Sequence, residues 1–192
     1  MKKSVVVIVA LEDEFAAEML PANIPIVYSG IGKVNASIAT FKAIHQYRPT
    51  LIVNYGTVGK INLNLSGLIP IQKVIQRDIM AEPLAPRGTV PFSSKPNHFI
   101  SDKDGFVCGT GDSFVTQKDL WLLENGVDVV DMELFAIAAV ASDSGIAWAS
   151  YKFISDEANE SSGQEWSSQV KNGQQLFADQ LLNFLCDAPS SS

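Results

Sequence analysis

Val129-Val130-Asp131-Met132-Glu133-Leu134-Phe135-Ala136-Ile137-Ala138-Ala139-Val140-Ala141 joins a short apolar run to an alanine-rich segment, with two carboxylates at the junction. Residues 127–130 read as a strand ending at Asp131, and Met132, Phe135, Ala136, Ala139 and Val140 then follow helical spacing. This reading makes Asp131 the N-cap and puts Glu133 in the first helical turn. The free N–H groups and the positive end of the helix dipole there favour an ionised carboxylate. Acids at helix starts are common, so capping alone accounts for both residues unless other segments bring further polar groups to the same place.

The rest of the chain repeats this strand-then-helix grammar. Residues 4–11 form a β-branched run without alternation, as in a strand buried on both faces of a sheet, and Glu12, Asp13 and Glu14 follow at once. A second strand at 24–28 leads into Ser29-Gly30-Ile31-Gly32-Lys33-Val34-Asn35-Ala36 and a helix over 33–47, closed by Pro49. Its Gly-Lys pair is not a P-loop, because Val27 and Val34 occupy the positions that need glycine and Ser or Thr. Glycines here and in Gly56-Thr57-Val58-Gly59, after the buried run 51–55, let backbone N–H groups approach an anion or a sugar hydroxyl. Residues 68–76 read as strand, followed by Arg77-Asp78. The proline-rich stretch 80–96 reads as a long surface loop, which suits a lid, an oligomer contact or a passive excursion equally.

A short strand over 105–108 runs into Gly109-Thr110-Gly111-Asp112-Ser113-Phe114-Val115, where Phe114 is either core or a wall for a flat ligand. A short helix from 116–119 through Leu123 ends at Gly126. After the opening stretch, Gly145 stops its helix, and residues 146–154 form a last strand leading to Ser155-Asp156. A final amphipathic helix is expected over 165–185, with Val170, Leu176, Phe177, Leu181, Leu182 and Leu185 on one side, before a flexible tail at 188–192. No repeat or linker interrupts the alternation, so residues 1–187 read as one α/β domain.

Composition narrows the function. The 192 residues are 46% hydrophobic and 18% charged, enough for a sizeable core, and the net charge of −7 with no basic cluster argues against nucleic acid as partner. Cys108 and Cys186 stand far apart, and His45 and His98 form no ligand-spaced group, so neither a disulfide framework nor a metal site is expected. Lys2 and Lys3 before an apolar run imitate a signal peptide, yet Glu12 to Glu14 end that run and no small-residue cleavage site follows. No run reaches the ~20 apolar residues of a membrane span. A cytoplasmic protein with no membrane partner is expected.

Three strand ends thus carry acids: Glu14, the Asp131/Glu133 pair, and Asp156. In a mainly parallel sheet they share one edge and can surround a pocket with the Gly30, Gly56 and Gly111 turns. Clustered carboxylates raise some pKa values and keep a proton available near neutral pH, and carboxyl groups flanking a sugar serve oxocarbenium-like transition states.

The motifs Glu12-Asp13-Glu14, Ser29 to Ala36, Asn54 to Gly59, Gly109 to Phe114, Val130 to Glu133 and Ile154-Ser155-Asp156 occur in the order seen in the nucleoside phosphorylase and nucleosidase superfamily. The chain most resembles the 5′-methylthioadenosine/S-adenosylhomocysteine nucleosidases. The resemblance implies a three-layer α/β/α sandwich around a twisted mixed sheet, a homodimer, a small-molecule nucleoside as substrate and no cofactor. It gives Asp156 the role of acid at purine N7 and Glu14 that of base for the attacking water. Glu133 would accept from the ribose hydroxyls, held ionised by the helix start, with Met132 packed on the sugar. Phe114 would stack on the base and the Val115 backbone would read its edge, while Thr57 and Ser155 join the substrate-binding set. Gly30, Gly56, Asp131 and Lys152 are supporting residues.

The departures from the pattern are as informative. The segment between Glu14 and Tyr28 is too short for the pair of strands the family holds there. Lys152 replaces an arginine that supports the water-activating glutamate, keeping the charge without the planar fork. Asn54 stands where the phosphorylase branch has a phosphate-binding arginine, which favours water as nucleophile. A phosphorylase, or a protein that binds a nucleoside without cleaving it, are the alternatives.

Overall fold

A computed structural model describes residues 4–117, 119–159, 166 and 169–186. The elements are β1 (Val5–Val9), β2 (Ile26–Tyr28), α1 (Lys33–Tyr47), β3 (Leu51–Lys60), β4 (Leu68–Gln76), β5 (His98–Ile100), β6 (Phe106–Thr110), α2 (Leu120–Glu124), β7 (Val129–Asp131), α3 (Leu134–Asp143), β8 (Ala147–Asp156) and α4 (Gln174–Cys186), with one 3-10 turn at Ala17–Met19. The fold is a three-layer α/β/α sandwich, a single mixed eight-stranded sheet between two helical layers. Alternation sorts the core. Val6, Ile8 and Ile52 face α1 and α3, while Val5, Val7, Val9, Val53 and Tyr55 face Phe177, Ala178 and Leu181 of α4.

The sheet is not a simple parallel array. β2, β1, β3 and β8 run parallel, but β8 pairs antiparallel with β4, and β7 pairs antiparallel with the far end of β3 through Gly59 and Val130. With β4–β6 and β6–β7 parallel, strands β3, β8, β4, β6 and β7 close into a ring. The expected single edge of parallel strand ends is therefore corrected. β7 reaches the other acids because an antiparallel neighbour sets its carboxyl end against the second half of β3.

Several boundaries differ from the sequence reading, each for a local reason. β3 does not stop at Tyr55 but continues through both glycines to Lys60, held by pairing with β8 and β7. The short edge strand β5 was not expected; its exposed, intermediate, exposed pattern carries no burial signal. α4 begins at Gln174, and Leu176 and Leu182 are exposed rather than part of its packed face. The expected start of that helix at Glu165 and the tail 188–192 lie outside the described residues. Between β1 and α1 stand the 3-10 turn and the short strand β2, which is the edge of the sheet. Among the described residues no helix is long and apolar enough to cross a membrane.

Candidate active site

Glu14 follows β1 and is fixed from behind by Phe15. That ring is fully buried and packs edge-on to Tyr55 and Phe177 at centroid distances of 5.5 and 5.0 Å. Glu14 is 5% exposed, and among the described residues its carboxylate receives three donors. Thr57 gives Oε1 both its backbone N–H at 2.9 Å and its hydroxyl at 2.6 Å, and Leu11 N–H reaches Oε2 at 3.2 Å. Trp166 Nε1 in turn donates to Thr57 Oγ1 at 2.8 Å. Gly56 makes room for this arrangement: a Cβ there would stand 3.2 Å from Lys152 Nζ and 3.5 Å from Glu14 Oε1.

Asp131 and Lys152 form an ion pair of 2.8 Å with both side chains 1% exposed. Burial alone would raise the Asp131 pKa, but Lys152, the Thr110 hydroxyl at 2.5 Å and Leu134 N–H at 2.9 Å bring it below the ordinary range. Burial would likewise lower the Lys152 pKa, and the Asp131 charge raises it above normal. Lys152, expected to stand in for an arginine that supports Glu14, makes its ion pair with Asp131, and donors from Thr57 and Leu11 hold Glu14. Cys108, fully buried below, has its thiol pKa pushed up by burial and by Asp131.

Two expectations for Glu133 also change. It is the N-cap of α3 rather than a first-turn residue, and its side chain makes no capping bond. Asp131 does that work through Leu134 N–H. Glu133 Oε1 instead accepts from Gly32 N–H at 2.8 Å, across from another segment. Burial and the Asp131 charge push its pKa up to about 7, so the helix start does not keep it fully ionised in the free protein.

Asp156 ends β8 beside Gly59 of β3, and a Cβ on Gly59 would come within 2.6 Å of its Oδ1. Ser155 Oγ donates to Oδ2 at 2.9 Å and Ala158 N–H to Oδ1 at 3.0 Å. These acids border one cavity of about 340 Å³, a volume suited to a small organic molecule. Glu14, Thr57, Phe114, Val115, Asp131, Met132, Glu133, Ser155 and Asp156 all line it. Phe114 is 56% exposed, which excludes the core reading and leaves its face available to a flat ligand.

A family model described as the phosphorylase superfamily matches residues 12–188. The chain belongs to the phosphorylase superfamily. A 5′-methylthioadenosine/S-adenosylhomocysteine nucleosidase from Shewanella halifaxensis is 28% identical over 183 residues, covering 82% of this chain and 79% of the relative. Among solved structures, S-adenosylhomocysteine nucleosidase from Streptococcus pyogenes in complex with 5-methylthiotubericidin has a TM-score of 0.85 at 20% identity, covering 98% of each chain. Native futalosine hydrolase of Helicobacter pylori has a TM-score of 0.84 at 20% identity, covering 98% of this chain and 99% of that one. Those two likenesses concern the fold.

Within this phosphorylase-superfamily fold, some expected residues stand back from the cavity and others appear in it. Gly30 and Gly56 do not line it. Gly30 N–H is engaged by Ala10 O at 2.9 Å, and Gly32 supplies the N–H that reaches the site. Ile31, Arg77, Ser113 and Trp166 line it without having been singled out. Arg77 had one visible signal, a lone cation directly after a buried strand. Its guanidinium binds Gly109 O at 3.1 Å, Gly111 O at 3.0 Å, Ser113 Oγ at 3.2 Å and Ser113 O, fastening the loop that carries Phe114. Burial lowers the Arg77 pKa despite the nearby Asp131 and Asp78. Lys33 ties that loop to the 29–33 turn, bonding Asp78 at 2.6 Å through its ammonium and Asp112 at 2.8 Å through its backbone N–H. Among the described residues no group of three or more His, Cys, Asp or Glu is placed to hold a metal ion.

Proposed function

We propose that the protein hydrolyses the N-glycosidic bond of a purine nucleoside, with an adenine nucleoside of the methylthioadenosine or S-adenosylhomocysteine type as substrate. The observation that carries this reading is the meeting of Glu14, Glu133 and Asp156, from three separate segments, on one small cavity with Phe114 and Met132. Family membership and the printed activity of the relatives support it. Glu14 takes a proton from a water whose oxygen bonds to the anomeric carbon. The carbon–nitrogen bond breaks with its electron pair moving into the purine, and Asp156 supplies the proton at N7. Glu133 accepts from the ribose hydroxyls, which favour its ionised form on binding. Met132 packs on the sugar and Val115 lies at the base edge.

Water rather than phosphate suits the charges. Asn54 is buried away from the cavity, its amide bonding Ile8 O at 3.0 Å and Tyr55 O at 3.1 Å, and Ser150 Oγ donates to it at 2.9 Å. Among the described residues Arg77 is the lone Lys or Arg lining the cavity, against four acids, and carbonyls already engage it.

The test incubates the protein with methylthioadenosine, S-adenosylhomocysteine, adenosine and a futalosine-type nucleoside, with and without phosphate, and detects released base. Phosphate-independent release is expected, and Asp156→Asn and Glu14→Gln should each lose about 10²- to 10⁴-fold. Phosphate-dependent release of ribose 1-phosphate would make the protein a phosphorylase. Tight binding without release would make it a carrier or sensor.

The working unit is proposed to be a homodimer. Val34, Ile38 and Phe41 are 70%, 50% and 55% exposed and repeat at helical spacing along α1, an apolar stripe that supports this reading. A monomeric mass in solution would remove this part of the reading.

A further inference from the structure

We propose that Trp166 is a positioning residue for the nucleophilic water, acting through Thr57 on Glu14; the role rests on the hydrolytic reading above. An indole N–H can only donate, so the Thr57 oxygen, 2.8 Å from Trp166 Nε1, must accept from it. The hydroxyl has a single proton, and its other partner is Glu14 Oε1 at 2.6 Å, a carboxylate oxygen that only accepts when ionised. The relay therefore has one direction: Trp166 donates to Thr57, and Thr57 donates to Glu14. A threonine without the indole could turn its proton toward solvent or toward the water itself.

The relay differentiates the two oxygens of Glu14. Oε1 is occupied by both the hydroxyl and the N–H of Thr57, the latter at 2.9 Å. Among the described residues Oε2 holds only the longer 3.2 Å contact from Leu11 N–H, which leaves it capacity to take a proton from water. Because the Trp166 side chain also lines the cavity, its ring supplies a wall as well as a donor. The two contributions are separable, since phenylalanine keeps an aromatic ring and loses only the N–H.

The experiment measures kcat and KM for base release in wild type, Trp166→Phe, Thr57→Val and the double variant. Trp166→Phe is expected to lower kcat about 5- to 10-fold, the effect of one lost hydrogen bond, with KM within about twofold of wild type. In the Thr57→Val background, where no hydroxyl remains to be oriented, Trp166→Phe should have no further effect on kcat, whereas with Thr57→Ser its penalty should return. Unchanged kcat in Trp166→Phe, a rise in KM alone, or an equal loss in the Thr57→Val background would each overturn the relay while leaving the hydrolytic reading intact. A wild-type protein that releases no base from any nucleoside removes the hydrolytic reading, and with it this role.

Discussion

Replacing Glu133 by Gln should stabilise the ligand-free protein at alkaline pH and leave it nearly unchanged at pH 4.5. In the folded chain the carboxyl is buried beside Asp131, and its pKa rises from an ordinary 4.5 to about 7. Between those values the folded state holds a proton that the unfolded chain has lost, so stability falls as pH rises through the window. At about 1.4 kcal/mol per pKa unit the total is about 3 kcal/mol, fully developed by pH 8. That is a large part of the 5–15 kcal/mol by which domains are typically stable, so it is measurable. The glutamine amide oxygen would still accept the Gly32 N–H, and the side chain would carry no charge to desolvate. Urea unfolding from pH 4.5 to 8.5 should show a wild-type decline of about that size across this window and a flat profile for the variant. The acids with depressed pKa values, Asp78, Asp119 and Asp131, add stability that is lost only as pH falls below the usual 3.8, outside the window. A wild type without the decline, or a variant that retains it, would refute the assignment of this strain to Glu133.

The other predictions concern the buried ion pair and the apolar stripe. Lys152→Met leaves Asp131 buried without its cation and should cost about 3–5 kcal/mol, lowering Tm by about 10 °C, and Lys152→Met combined with Asp131→Asn should recover part of that loss. Equal stability of Lys152→Met and wild type would show that Thr110 and Leu134 suffice to hold Asp131. Light scattering should give a dimeric mass for wild type and a monomeric one for Ile38→Glu or Phe41→Glu, with the thermal unfolding of the monomer still cooperative.

Much of the fold was legible because local signals agreed with burial. The bounds of α1 and β4 agree with the sequence reading, of about 33 to 47 and of 68 to 76. For α1 this follows from Gly32 before its first turn and a left-handed Arg48 just ahead of Pro49. The acid-bearing strand ends were legible for the same reason, since buried apolar runs stop abruptly at Glu12, Asp131 and Asp156. What stayed hidden depends on register between distant strands. No local pattern states that Lys152 sits opposite Gly56 and bonds Asp131, or that an indole more than a hundred positions away meets Thr57.

The second half of β3 explains why these hidden contacts converge. A strand ending at Tyr55 would pair with β1 and β8 alone, and Thr57 and Gly59 would belong to a loop. Continued to Lys60, it pairs with β8 on one side and β7 on the other, so Gly59 has both Val130 and Asp156 as partners. Its two glycines fall where side chains from other segments need space, Lys152 and Glu14 at Gly56 and Asp156 at Gly59. Between them Thr57 offers its hydroxyl and N–H to Glu14. The glycines that read as a turn in the sequence therefore serve an extended strand, and that strand is what assembles the acids. In this chain the acids are brought together less by a common edge of parallel strands than by one strand that outruns the edge and gathers residues from both sides.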